Sequence, residues 1–282
     1  MPLILAPATI TKLRTLDQGE LRSVQLTLPD SLRVGTKEEP IEDGMRPGAA
    51  FLAEPFGEHN KRREKRLYMR SNCSISAQRR LETLWWQTGE IHEGDTIGVQ
   101  VDSDPKGTFL KVHEHRILDK SKSLALEPDT WWSEQNFVAV AFSTGMTPFL
   151  AHIRYMALFE FGRAFRRFES GAHYVLIVSV RNPLQLMCHD ELRELEDRFP
   201  DNFRYHPVLT REWPDDWPYT RQRIIKTEDG AREVDLSALL SVVPDIGSRH
   251  VRICGGKAAT EQLVRGLREY RITPRSIKAE VW

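Results

Sequence analysis

The chain changes its hydrophobic period part-way along, and that change constrains the fold more than any other feature. Up to about Arg116, short β-rich or alternating segments follow one another at 10–13, 21–28, 50–53, 66–70, 81–86, 96–101 and 109–112. None is followed by a helical period, and polar loops at 35–48 and 55–65 separate them, with a Gly94-Asp95 turn before the strand at Thr96. Such a series predicts an antiparallel β-barrel or sandwich. Beyond a polar connector at about 118–133, compact apolar strands at 137–142, 174–180, 203–209 and 251–254 alternate with helices. The first helix is expected from Pro148 to about Phe165. The second carries Leu192, Leu195 and Phe199 on one face, and the third carries Leu263, Val264, Leu267 and Tyr270. Apolar residues at three- and four-residue spacing between buried strands predict a doubly wound parallel α/β sheet. The expected division is 1–117 and 118–282, and 282 residues at about 150 per domain agree with two.

Charge and cysteine usage exclude several functions. The 40 Lys and Arg balance the 40 Asp and Glu, which argues against a general nucleic-acid or anionic-membrane binder. The apolar stretches at 137–142 and 174–180 fall far short of the about 20 residues that span a bilayer. Leu3-Ile4-Leu5-Ala6 lacks a basic flank, so no secretory signal is expected. The three cysteines, Cys73, Cys188 and Cys254, are odd in number and far apart. They suit a reducing, cytoplasmic setting and cannot ligate an iron–sulfur cluster of the chain's own. His113-Glu114-His115 reads as a surface strand rather than a metal site.

The chemical signals lie at strand ends. Ser143-Thr144-Gly145-Met146-Thr147-Pro148 joins a strand to a helix. Thr147 is expected to cap that helix, Pro148 suits its first turn, and Gly145 would let an anion approach the free N–H groups. An ordinary strand-to-helix connection accounts for the same residues. Cys254-Gly255-Gly256 ends another buried strand and leaves room for a flat ring, or is simply a buried Cys before a flexible turn. Arg66 and Tyr68 alternate along a strand, and Glu280-Val281-Trp282 closes the chain on an aromatic residue.

Taken together and in this order, these segments resemble the ferredoxin–NADP(+) reductase family, particularly the bacterial type with an aromatic C-terminal residue. Arg66-Leu67-Tyr68-Met69 is similar to its flavin motif, and Gly94-Asp95 to the turn before a barrel strand. Thr144-Gly145-Met146-Thr147-Pro148 is similar to its nucleotide loop, Thr210-Arg211-Glu212 to its Ser-Arg-Glu, and Cys254-Gly255-Gly256 to its Cys-Gly segment. The resemblance implies an FAD-binding barrel and an NADP-binding α/β domain. It places Arg66 on the flavin phosphate or ribityl groups, and Tyr68 on the flavin ring. It places Thr144, Gly145, Thr147 and Pro148 at the nucleotide pyrophosphate. Arg181 falls in the second nucleotide strand and its turn, while Thr210, Arg211 and Arg221 fall at the 2′-phosphate. Cys254, Gly255 and Gly256 would border the hydride path, Trp282 would cover the flavin, and Glu280 would be a proton or orientation partner. A ferredoxin, flavodoxin or oxygenase centre would be the electron acceptor. Three departures stand out, one of them Ser143 in place of the first glycine of the nucleotide loop. Met69 replaces a Ser or Thr, and the segment 87–93 lacks the helix whose N-terminus holds flavin pyrophosphate in the family. Ser71, Ser74, Ser76, Arg79 and Arg80 are the candidates to replace it. A second reading keeps the fold without flavin, as an NADP-binding or partner-binding module.

Overall fold

The structure is a computed structural model that describes residues 3–17, 21–29, 48–55, 66–69, 80–86, 91–103, 110–112, 124–126, 136–165, 170–228 and 231–281. The chain divides into two compact units. The first comprises Met1–Lys120, Ala125–Pro128 and Leu150–Tyr155; the second comprises Ser121–Leu124, Asp129–Phe149 and Met156–Trp282.

Among the described residues, the first unit contains one antiparallel sheet of seven strands. These are β1 (Leu3–Asp17), β2 (Leu21–Thr27), β3 (Ala50–Pro55), β4 (Arg66–Met69), β5 (Arg80–Trp86), β6 (Thr96–Ser103) and β7 (Leu110–Val112). They run in the order β4-β3-β6-β1-β2-β5, with β7 on β6, and curl into a half-barrel. Strand β1 is far longer than the expected 10–13 because it serves two neighbours. Its first half pairs with β6 and its second with β2, and the register shifts between Ile10 and Lys12. Alternate residues Ala6, Ala8 and Ile10 point into a core with Val24, Leu26, Ile97, Val99 and Val101. Burying each large apolar side chain there contributes about 1.5–3 kcal/mol. The Gly94-Asp95 turn docks on β1, since Gly94 N–H donates to Ile10 O (2.8 Å) and Ile10 N–H to Asp95 O (2.9 Å).

The second unit holds β8 (Asn136–Phe142), β9 (His173–Val180), β10 (Phe203–Leu209), β13 (His250–Gly255) and β14 (Ser276–Val281) in a parallel sheet ordered β10-β9-β8-β13-β14. Helices α1 (Thr147–Leu158), α2 (His189–Arg198) and α4 (Lys257–Glu269) follow β8, β9 and β13. The interior strands β8, β9 and β13 are buried almost continuously, as a sheet covered on both faces requires. Val138, Val140, Ile177, Val208, Val251 and Ile253 share one core with Leu263 and Leu267 of α4.

Helix α1 ends at Leu158, not near Phe165. Glu160 and Phe161 take left-handed backbone angles (φ 49° and 54°). That break turns Phe161 into the interior, stacked on Phe203 with ring centroids 6.1 Å apart and edge-on to Phe199 at 5.2 Å. The segment between β10 and β13 holds further elements, one of them a helix where Leu236, Leu239, Leu240 and the C-cap Val243 recur at helical spacing. A hairpin of β11 (Ile225–Glu228) and β12 (Ala231–Val234) leads into α3 (Leu236–Val242). Asp235 caps α3 by accepting from Ala238 N–H (3.1 Å) and the Ser237 hydroxyl (2.6 Å), and it ion-pairs with Lys226. No helix among the described residues is long and apolar enough to cross a membrane.

Candidate nucleotide site

From β8 the chain steps outward to β9 and β10, then returns to place β13 and β14 on the opposite side of β8. The topological switch point therefore lies between β8 and β13, where ligands of open α/β sheets bind beyond the carboxyl ends of the strands. The two loops there are Ser143–Met146, a 3-10 turn, and Cys254-Gly255-Gly256.

The roles of the glycines and of Thr147 differ from expectation. A Cβ on Gly145 would sit 2.1 Å from Cys254 O and 2.4 Å from its carbonyl carbon. Gly145 is thus required for backbone packing of one loop on the other, and its missing side chain faces protein rather than an anion. Gly255 is reciprocal, with φ +149° and a built Cβ only 2.5 Å from Phe142 Cβ. Gly256 faces open space. Thr147 begins α1 and caps no N–H; its hydroxyl donates to Thr144 O at 2.6 Å. Pro148 lies in the first turn. Ser143, at the family's first glycine, adopts φ 55°, and its buried Oγ has no hydrogen-bond partner among the described residues.

Further along the rim, backbone hydrogen bonds bring two arginines side by side. Thr210 N–H donates to Val180 O (2.8 Å) and Arg211 N–H to Arg181 O (2.9 Å), so β9 and β10 deliver Arg181 and Arg211 to adjacent positions. Both side chains are exposed. Gln185 Oε1 accepts from Arg181 N–H (3.1 Å), and the buried Oδ1 of Asn182 has no partner among the described residues. Arg221 stands on the loop that follows, its Nη2 donating to Pro214 O (3.2 Å) and Asp215 O (3.3 Å).

On the other side of β13, Glu280 is the cross-strand partner of Cys254. Cys254 is fully buried and Glu280 is 7% exposed. Burial pushes the Glu280 carboxyl up to about 7, against a smaller opposing effect from the Leu124 N–H that donates to it. Its Oε2 has no partner among the described residues. In the first unit, β4 pairs Arg66 with Ala53, Tyr68 with Phe51 and Met69 with Ala50. The side chains of Arg66, Tyr68 and Met69 lie outside what the structure describes, as do Ser71, Cys73, Trp282 and the His113-Glu114-His115 segment. Gln87–Glu90 also fall outside, while Ile91–Asp95 form the turn described above.

Sequence reasoning left one part of the rim unread. The tract Trp213-Pro214-Asp215-Asp216-Trp217-Pro218-Tyr219 carries three aromatic residues between Arg211 and Arg221, and Tyr219 packs on β10. Its signal in the sequence is the spacing of aromatic residues between the two arginines.

A half-barrel antiparallel sheet and a parallel α/β domain with arginines at its rim are the two parts of the ferredoxin–NADP(+) reductase fold. The comparisons agree. Residues 140–265 match the family described as "Oxidoreductase NAD-binding domain". A cytochrome P450 reductase from Amycolatopsis is similar at 18% identity and TM-score 0.68, over 99% of this chain and 70% of that one. A ferredoxin NADP+ reductase from Neisseria gonorrhoeae, solved with bound FAD and NADP, is similar at 20% identity and TM-score 0.63, over 98% of each chain. The FAD/NAD-binding domain of a Vibrio cholerae nitric oxide dioxygenase is similar at 14% identity and TM-score 0.63, over 99% of each. No curated protein matches the sequence. The fold is the one that the motifs resemble, that of the ferredoxin–NADP(+) reductases, and residues 140–265 are similar to an oxidoreductase NAD-binding domain.

Proposed function

We propose that the protein is a cytoplasmic, flavin-dependent NADPH oxidoreductase that passes electrons from NADPH to a separate ferredoxin, flavodoxin or oxygenase centre. Residues 1–117 would be the flavin domain and 118–282 the NADP domain. The observation that carries the reading is the adjacency of Arg181 and Arg211 at the carboxyl ends of β9 and β10. Two exposed guanidinium groups suit a 2′-phosphate, which NADPH has and NADH lacks. The residues at the switch point fit the rest of a dinucleotide. The orphaned Ser143 hydroxyl can donate to a phosphate, and the open space at Gly256 admits a ring. Thr144, Gly145, Thr147 and Pro148 shape the loop, with Thr210 and Arg221 flanking Arg211. Cys254 and Gly255 border the ring's place.

FAD, when bound, would supply the exchange between the electron pair of a hydride and single-electron transfer. Arg66, Tyr68, Met69 and Ser71 are the proposed contacts to it, and Trp282 its cover. Glu280, with a carboxyl that titrates near neutral pH, can hold or release a proton beside the nicotinamide's place. The test is an absorption spectrum of purified protein followed by NADPH-driven reduction of ferricyanide. Bound flavin and NADPH-linked turnover are expected; colourless protein with no turnover after FAD addition would refute the reading. A second reading, a module without flavin, draws on Met69 and on the sequence of 87–93, which shows no pyrophosphate-helix pattern. Colourless protein that still binds NADPH would establish it.

A further inference from the structure

We propose that Tyr219 is the positioning residue for the 2′-phosphate clamp: it pins the loop carrying Arg221 to the edge of the parallel sheet. The inference rests on the NADPH reading above and adds a determinant outside the motif residues.

Between Thr210 and Ile225 the chain has no helix or strand. Its internal backbone bonding is slight, a single Trp217 N–H to Pro214 O contact at 3.1 Å. A loop of this length ordered by so little backbone bonding needs another anchor. Tyr219 supplies it. Its ring lies 5.1 Å from that of Trp217 within the loop, 5.8 Å from His206 and 6.4 Å from Tyr205 on β10, and 6.5 Å from His189 on α2. The last three are edge-to-face, the arrangement that ring quadrupoles favour. The socket is itself fixed, because Tyr205 OH and His189 Nδ1 are 3.2 Å apart and Glu196 Oε1 accepts from Tyr205 N–H at 3.2 Å.

Arg221 lies two residues beyond Tyr219 and grips the other arm of the loop through Nη2. A guanidinium has five N–H donors, so this grip leaves donors for a phosphate while holding the group in place. The clamp is therefore preorganised. Ordering it does not have to accompany binding, and that saving appears as affinity. Without the Tyr219 ring the loop is released, and Arg221 must be ordered anew by each ligand.

The experiment measures dissociation constants of NADPH and NADH for the full chain by calorimetry. Tyr219→Ala is expected to weaken NADPH about tenfold, as loss of one charged contact does, while NADH binding changes less than twofold. Tyr219→Phe is expected to retain NADPH affinity, since ring faces and edges carry the contacts. Adding Tyr219→Ala to Arg221→Ala should weaken NADPH no further than Arg221→Ala alone. If Tyr219→Ala does not fold, Trp217→Leu carries the same expectation. Unchanged NADPH affinity in Tyr219→Ala, or additive losses in the double variant, would overturn the inference while an Arg221→Ala effect left the NADPH reading standing. If Arg211→Ala and Arg221→Ala both leave the NADPH-to-NADH ratio unchanged, the reading falls and this inference with it.

Discussion

Replacing Glu280 by Gln tests whether its buried carboxyl is neutral below pH 7. The carboxyl is 7% exposed, holds one backbone donor from Leu124, and leaves Oε2 without a partner among the described residues. Burial raises it from 4.5 to about 7. Between those values the folded protein holds a proton that the unfolded chain has released, so raising the pH destabilises the fold. The favourable contribution is complete below pH 4.5 and is lost as pH rises through about 7. At 1.36 kcal/mol per pH unit, the window corresponds to about 3 kcal/mol. Gln keeps the shape and cannot ionise. Urea unfolding of both proteins at steps from pH 4.5 to 8 should therefore show wild type losing about 3 kcal/mol relative to Glu280→Gln, with the difference level above pH 7. Parallel stability curves would refute the reasoning, because they would mean that the carboxylate finds solvent or a cation in the folded state.

Arg211→Ala should reduce the preference for NADPH over NADH about tenfold or more, measured as the ratio of dissociation constants; an unchanged ratio counts against a 2′-phosphate at that arginine. Gly145→Ala should destabilise the second unit by about 3 kcal/mol, since the new methyl meets Cys254 O at 2.1 Å and backbone must move. Thermal unfolding at the wild-type temperature would show the two loops are not packed as described. Asp235→Ala should cost about 1 kcal/mol at pH 7 through the lost cap of α3. Lys226 and Ser237 hold the Asp235 carboxyl down at about 2, so its contribution is present above pH 3.8 and lost as pH falls through about 2. Wild type and variant should converge in acid; a constant gap to pH 2 would contradict the pairing.

Much of the architecture is written in local pattern. The apolar runs of β8, β9 and β13 mark strands buried on both faces, and the spacing of Leu192 and Leu195 or Leu263 and Leu267 marks the faces of α2 and α4. Such periods survive because each element buries its face against whatever lies opposite. The Gly94-Asp95 turn and the order of the rim motifs were legible for the same local reason. Other features depend on partners far along the chain. The early end of α1 follows from Phe161 packing on Phe199 and Phe203, residues a helical pattern cannot anticipate. The β11–β12 hairpin, with strands of four residues each, is too short to show an apolar period and is fixed where Lys226 meets Asp235, the cap of α3. Gly145 reads as a ligand-facing glycine until Cys254, 109 positions later, is seen against it. Glu280 is an ordinary acid in the sequence and a near-neutral one in the fold, because desolvation belongs to a place in three dimensions and not to a residue type. Residue identity and spacing determined most of the strands and helices of the parallel sheet; tertiary packing decided where α1 ends and which arginines, rings and carboxyls meet at the rim, since those contacts join segments that no local period connects.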